Sequence, residues 1–350
     1  MALKHVQNAL EDIKYEIGPK FTESLTGLLR DQAIDRINRV LDYTIHGGKF
    51  ARSCLVLNTF LALKPEATPE EIKKASRVAV VMEILQSFFL IIDDVMDNGE
   101  VRRGKPCWHR LPSVGLVAIN DGLMLDQMID LIIRETMVDH PRMLDMLRFI
   151  YETKRRSVLG ELFDTTSKTL DECTFNRYEQ IILHKTTYYT YILPIQLGYT
   201  IADRDDFEEI VPVLERLGLL FSALDDYLDV FGDPALTGKT IMNDLVEGKC
   251  TWITCTALEL LQESDQSKTL SDFEKAFGNA EKRYVNRALE ILKTLKIDEL
   301  YNTYEVEECT ALKSTISQLK TTQVQPVLVD CVDFIYNLSK KMRKTTSISC

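Results

Sequence analysis

Apolar positions along this chain recur with helical spacing, and no stretch alternates strictly between apolar and polar residues. The clearest case starts at Thr68. Val78, Val81, Met82, Leu85, Phe88, Phe89 and Ile92 follow at intervals that give a broad apolar helix face. Thr68 is placed to cap, Pro69 suits the first helical position, and Glu71 completes a capping box. The Asn98-Gly99 turn signal ends this helix near Asp97. Similar patterns predict helices over 121–138, 143–164, 175–201, 206–230, 252–261, 270–295 and 327–344. Pro326 sits at the tolerated start of the last one, and Gly232-Asp233-Pro234 breaks the helix that precedes it. Without a strand pattern, a short repeat or an obvious linker, the expectation is an all-α protein forming one continuous domain over 1–350.

Composition supports long helices. Only 15 Gly and 10 Pro punctuate 350 residues, and 45% are hydrophobic, enough for a substantial core. The net charge of −11 disfavours nonspecific nucleic-acid binding. The longest apolar region, 78–92, is interrupted by Glu83 and Gln86 and is too short to span a bilayer. Met1-Ala2-Leu3-Lys4-His5 shows neither an apolar signal core nor an Arg-rich transit pattern, so a cytoplasmic protein is expected. The 8 Cys residues form no CxxC pair and no Cys/His metal spacing, which predicts free thiols in a reducing compartment. Cys350 is the last residue, whereas a prenylation box needs its Cys four from the end.

The candidate chemistry lies in two acidic pentads, Asp93-Asp94-Val95-Met96-Asp97 and Asp225-Asp226-Tyr227-Leu228-Asp229. On a helix, positions i, i+3 and i+4 are neighbours, so each pentad gathers three carboxylates on one face. Both pentads fall at predicted helix C-termini, where the macrodipole is already negative. A hard divalent cation relieves that repulsion, and Mg²⁺ is typically held by one or two carboxylates together with substrate phosphates. Cationic candidates surround the pentads: Gly47-Gly48-Lys49 leading to Arg52, Arg102-Arg103, Lys185, Lys239 and Lys249. Gly232–Thr240 imitates a phosphate-binding P-loop, but five residues separate its glycines instead of four and no strand pattern precedes it.

Together these residues resemble the trans-isoprenyl diphosphate synthases. The likeness runs through Gly47-Gly48-Lys49, Arg52, Leu85-Gln86-Ser87-Phe88-Phe89, both pentads, Arg102-Arg103-Gly104, Cys107-Trp108, Ala118-Ile119-Asn120-Asp121, Lys185-Thr186, Thr237-Gly238-Lys239 and Lys249-Cys250. The resemblance implies an all-α bundle around a central active-site cavity, usually a homodimer, that uses Mg²⁺ and isoprenoid diphosphates. By the same resemblance, Asp93, Asp94, Asp97, Asp225, Asp226 and Asp229 would hold the metal. Arg102, Lys185 and Lys239 would neutralise the allylic diphosphate, and Thr186 and Lys249 would be further substrate-binding residues. Gly48, Lys49, Arg52, Gln86, Arg103 and Phe221 would form the isopentenyl diphosphate site. Phe89 lies one helical turn before Asp93, with Phe88 beside it, which places two rings in the path of a growing tail and predicts a stop at farnesyl diphosphate.

The chain also departs from that family. Glu161 stands where Gln is usual, Ser222 and Leu224 replace a Phe-Gln-x-Gln pattern, and Thr240-Ile241-Met242-Asn243-Asp244 carries an extra residue before Lys249. These changes keep open a terpene synthase that ionises a prenyl diphosphate without condensing it. A noncatalytic subunit is a third reading, opposed by the two intact pentads.

Overall fold

The computed structural model describes residues 1–237, 241–264 and 266–343. Sixteen α-helices run through them. The first eight are α1 (Ala2–Phe21), α2 (Gly27–Ile45), α3 (Ala51–Leu63), α4 (Pro69–Met96), α5 (Ala118–Thr136), α6 (Met143–Thr166), α7 (Phe175–Ile182) and α8 (Leu193–Ile201). Then come α9 (Val211–Phe231), α10 (Pro234–Thr237), α11 (Asn243–Glu247), α12 (Trp252–Glu263), α13 (Ser267–Ala276), α14 (Lys282–Thr294), α15 (Ile297–Ser317) and α16 (Gln325–Met342). Among the described residues the one sheet is an antiparallel ribbon of β1 (Val101–Arg102) and β2 (Lys105–Pro106). The expected all-α class therefore holds. Helices α1 to α3 and α15 were not anticipated from the apolar pattern. The stretch predicted as one helix over 270–295 is two, because Gly278 takes φ +70° and its amide bonds to the carbonyl of Leu245.

The residues group into two compact units, Met1–Tyr151 with Leu193–Phe207, and Glu152–Ile192 with Glu208–Cys350. In the first unit, α4 is the organising element. Its N-terminus forms the predicted capping box, in which Thr68 and Glu71 satisfy each other's backbone amides. The side chains of Lys64 and Thr68 hold the Glu71 carboxyl down at about 2. From Ala75 to Leu85 the helix is buried on nearly every side, with α5, α3, α1, α2 and α8 packed around it. Glu83 is buried within that run, and Ser53 Oγ donates to its carboxylate at 2.8 Å. α8 crosses α3 at Gly198, where a Cβ would lie 2.7 Å from the Thr59 Cβ.

A second polar anchor fixes the segment between the ribbon and α5. Asp121 is fully buried and accepts from Arg36 Nε at 2.8 Å, Arg36 Nη2 at 2.5 Å and Trp108 Nε1 at 2.7 Å. Arg36 and Arg39 also stand over the Trp108 ring. Asp121 thus spends its charge inside this clamp. Removing one partner strands the other in a dry site, so Arg36→Ala should destabilise the fold by about 3–5 kcal/mol. Denaturant unfolding of the variant beside the parent checks this.

In the second unit, α9 packs against α12, α15, α16 and the segment Leu183–Ile192. That segment, expected as ordinary α-helix, is π-helical. Its Thr187 hydroxyl donates to the carbonyl of Ile182, five residues back, at 3.1 Å. Two glycines flank it. A Cβ on Gly160 of α6 would lie 2.2 Å from the Lys185 amide nitrogen, and one on Gly218 of α9 would lie 2.0 Å from Thr187 Oγ1. Side-chain-free contacts on two sides therefore hold the widened turn in place.

Candidate functional site

In the first unit the site is built on the end of α4 and the ribbon after it. The Asp97 amide bonds to the carbonyl of Asp93, closing the last turn, and Asn98 turns the chain with φ +53°. Arg103 and Gly104 both have positive φ, the requirement of a two-residue hairpin turn. The ribbon directs its two arginines to different targets. Arg102 donates to Asp93 Oδ2 and to Asp94 Oδ1, each at 2.8 Å. Arg103 reaches back to the carbonyl of Thr44 at 3.0 Å, at the end of α2, and a Cβ on Gly48 would come within 3.2 Å of its Nη1. The glycine of the Gly47-Gly48-Lys49 motif is thus seated under the Arg103 guanidinium, for which it leaves room.

The three carboxylates of the first pentad are not equivalent. Asp94 is buried against Arg102 and beside Cys107, Asp93 is half-buried and shares Arg102, and Asp97 is exposed. Burial works against the Arg102 charge, but Asp94 and Asp93 outweigh it and leave the guanidinium above its ordinary value. Burial, reinforced by Asp94, pushes the Cys107 thiol up to about 12. Lys49 is exposed, while Arg52 and Gln86 are half-buried on α3 and α4. Phe88 and Phe89 lie with ring centroids 5.1 Å apart, and Phe88 packs over Gly122 of α5, where a Cβ would sit 3.5 Å from its ring.

In the second unit the other pentad occupies the last turns of α9. Asp225 is exposed. Asp226 retains some surface, but its carboxyl sits in dense surroundings and accepts from the Trp252 amide at 2.8 Å. Burial, then Asp244, raise its pKa well above the usual carboxylate range, and the Trp252 hydrogen bond offsets this only in part. Asp229 is buried, and its carboxylate accepts from the amides of Asn243 at 3.2 Å and Asp244 at 3.3 Å. It caps the short α11, so the departing loop at 241–244 is tied to the pentad itself.

Lys185 lies on the π-helical segment and is held by two carboxylates, Glu161 at 2.9 Å and Asp164 at 2.7 Å. Sequence reading singled out Lys185 and noted Glu161 but could not join them. The signal was Gly160, which allows the backbones to approach. Thr186 is half-buried on the same segment. Lys249 pairs with Glu247 at 2.6 Å. Phe221 makes an edge contact with Tyr191, their centroids 6.2 Å apart. Ser222 and Leu224 are buried on α9, so these replacements line the interior packing of the unit. Lys239, Gly238 and the tail from Thr345 to Cys350 lie outside the described residues.

Among the described residues, no three His, Cys, Asp or Glu side chains are gathered into a ready metal cage. No described helix is long and apolar enough to cross a membrane.

The helical fold, with acidic residues at the ends of α4 and α9, is the frame in which comparison with known proteins gives the family. The polyprenyl synthetase family profile matches residues 34–292. The chain belongs to the polyprenyl synthetase family. It is 32% identical over 345 residues to "Farnesyl pyrophosphate synthase 2" of Cannabis sativa, covering 94% of this chain and 100% of that protein. It is 31% identical over 347 residues to the "Farnesyl pyrophosphate synthase" of Panax ginseng, covering 95% and 100%. Its fold matches the solved T. brucei farnesyl diphosphate synthase with a TM-score of 0.85 at 24% identity, over 97% of this chain and 99% of that one.

Proposed function

We propose that this chain is a Mg²⁺-dependent prenyltransferase. It joins dimethylallyl diphosphate, then geranyl diphosphate, to isopentenyl diphosphate and stops at farnesyl diphosphate. The observation that carries this reading is the near full-length likeness to proteins named farnesyl pyrophosphate synthases, together with retention of Lys49, Arg52, Gln86 and Arg103, which a pure cyclase does not need.

Bound Mg²⁺ supplies positive charge against the departing diphosphate. The two pentads, Asp93, Asp94 and Asp97 with Asp225, Asp226 and Asp229, are proposed to hold it. Asp97 and Asp225, as the exposed members, are best placed to meet solvent-borne metal. Asp94, Asp226 and Asp229 orient their helix ends through the partners described above. Arg102, Lys185, Thr186, Lys239 and Lys249 are proposed to stabilise the leaving diphosphate, and Gly48, Lys49, Arg52, Gln86, Arg103 and Phe221 to hold isopentenyl diphosphate. As the carbon–oxygen bond breaks, an allylic cation forms. The isopentenyl double bond attacks it, and a proton leaves to the diphosphate. Apolar walls must exclude water meanwhile, because water would quench the cation to an alcohol.

The test uses purified protein with Mg²⁺ and either dimethylallyl plus labelled isopentenyl diphosphate, or farnesyl diphosphate alone. Labelled farnesyl diphosphate from the first mixture is the expected result. A terpene from the second, with no condensation in the first, would replace this reading with the terpene synthase. Phe89→Ala should lengthen the products beyond fifteen carbons, read by chromatography of the dephosphorylated alcohols, and an unchanged product removes the ring's measuring role.

A homodimer is part of the proposal. Leu144, Tyr151, Val158 and Leu162 form an exposed apolar stripe along α6 at helical spacing. Light scattering should give about twice the 40.1 kDa chain mass. A cytoplasmic location goes with this reading, and cell fractionation tests it.

A further inference from the structure

In the second unit the remote Cys173 meets Cys250 and Cys255, a pair five residues apart in sequence. Cys250 Sγ lies 3.7 Å from Cys255 Sγ, and the Cys173 thiol also interacts with Cys250. Cys173 also reaches the carbonyl of Thr169 at 3.6 Å, and Cys250 that of Thr174 at 3.9 Å. All three are buried. The proposed reaction uses none of them. Cys250 stands immediately before Thr251, the cap of α12, and Cys255 lies in the first turn of that helix, its amide bonded to the Thr251 carbonyl at 3.0 Å. The Cys173 and Cys255 thiols lower the Cys250 pKa, and both neighbours are raised in turn.

The neighbours of Cys250 give any movement of its sulfur a consequence. Trp252, two residues on, donates its amide to Asp226 of the second pentad at 2.8 Å. Lys249, one residue before, bonds its amide to the carbonyl of Asp244 at 2.9 Å and its ammonium to Glu247. A disulfide needs its sulfurs about 2.05 Å apart. Closing the gap would therefore draw on the backbone that positions Asp226 and Lys249.

We propose that Cys250 and Cys255 form an oxidative modification site, in which a hydroperoxide closes a reversible disulfide that lowers activity. In the first step the Cys250 thiolate attacks the peroxide, forming an S–O bond and breaking O–O, and the expelled oxygen takes the Cys255 proton. In the second step the Cys255 thiolate attacks the sulfenic sulfur, forming S–S and expelling the S–O oxygen as hydroxide, which takes a proton from solvent to become water. Two electrons pass from the two thiols to one peroxide, and a small dithiol reverses the change. All three sulfurs are buried, so the peroxide must enter through a local opening of this part of the second unit.

The activity readout rests on the proposed synthase reaction, while the chemical readout does not. Full-length protein is treated with hydrogen peroxide, its free thiols are alkylated, and the digest is mapped by mass spectrometry. The expected result is a Cys250–Cys255 link that dithiothreitol removes. With it comes a loss of synthase activity on the order of 10²-fold, the scale of a misplaced contact residue, regained on reduction. Cys255→Ser and Cys255→Ala should match the parent before treatment and resist peroxide afterwards. Alkylated Cys250 and Cys255 after treatment, or a link from Cys250 to Cys173 alone, overturns the site. A mapped link without any change in activity overturns its regulatory role. If the reduced parent shows no condensation at all, the synthase reading fails while the map still decides the chemistry.

Discussion

Asp93→Asn should lower kcat by on the order of 10²-fold or more at saturating Mg²⁺, the usual scale for removing a preorganised electrostatic contact. The substitution keeps the shape of the side chain and removes its charge. Stability should change little. Asp93 sits in the last turn of α4, one turn before Asp97, where like charges and the helix dipole both disfavour it. Arg102 keeps its second carboxylate, Asp94, at 2.7 Å. A large fall in turnover with an unchanged thermal midpoint identifies a functional carboxylate. Near-parental turnover removes Asp93 from the metal site, and a collapse of the midpoint shows that Asp93 mainly anchors Arg102. Steady-state kinetics beside thermal unfolding separates the three outcomes.

Gly160→Ala should cost about 1–3 kcal/mol of stability and also impair catalysis, because the added methyl group meets backbone rather than a yielding side chain. The new Cβ would sit 2.2 Å from the Lys185 nitrogen and 2.6 Å from its Cα. The helices must separate, and Lys185 then loses its present distances to Glu161 and Asp164. Glu161→Gln is the companion variant. It leaves packing intact and removes one of the two charges on Lys185. If close approach is what positions Lys185, Gly160→Ala lowers both the thermal midpoint and kcat/KM, whereas Glu161→Gln alters kinetics with the midpoint held. Equal stability of Gly160→Ala and the parent would show that the crossing is looser than the structure describes.

These two predictions differ in how far each was legible beforehand. Asp93 could be reached from sequence because its meaning is local: carboxylates at i, i+1 and i+4 stand next to a turn signal. The capping box at Thr68 and Glu71 and the almost complete lack of strand were legible for the same reason. Helices α1 and α2 were not, since charged residues are interspersed among their apolar positions, and α3 was not because it is apolar on several sides and shows no single face; all three pack on α4. The π-helical turn could not be read from spacing either. Its backbone is held by Gly160 and Gly218, which lie on other helices, 25 and 31 residues away along the chain from the Lys185 and Thr187 they touch (185 − 160 and 218 − 187).

By itself, the sequence determined an all-α chain with two acidic helix ends beside apolar helix faces, because helix period, caps and i, i+4 neighbours depend only on nearby residues. Tertiary structure decided what each charged group does. It gave Arg102 to Asp93 and Asp94 but Arg103 to the end of α2, and Asp121 to a buried clamp. It also assigned Asp229 to cap α11, Lys185 to two carboxylates, and the distant Cys173 to Cys250. In each case the partner lies outside the local helical turn, so only the folded chain, by bringing remote backbone within hydrogen-bonding distance, could choose it.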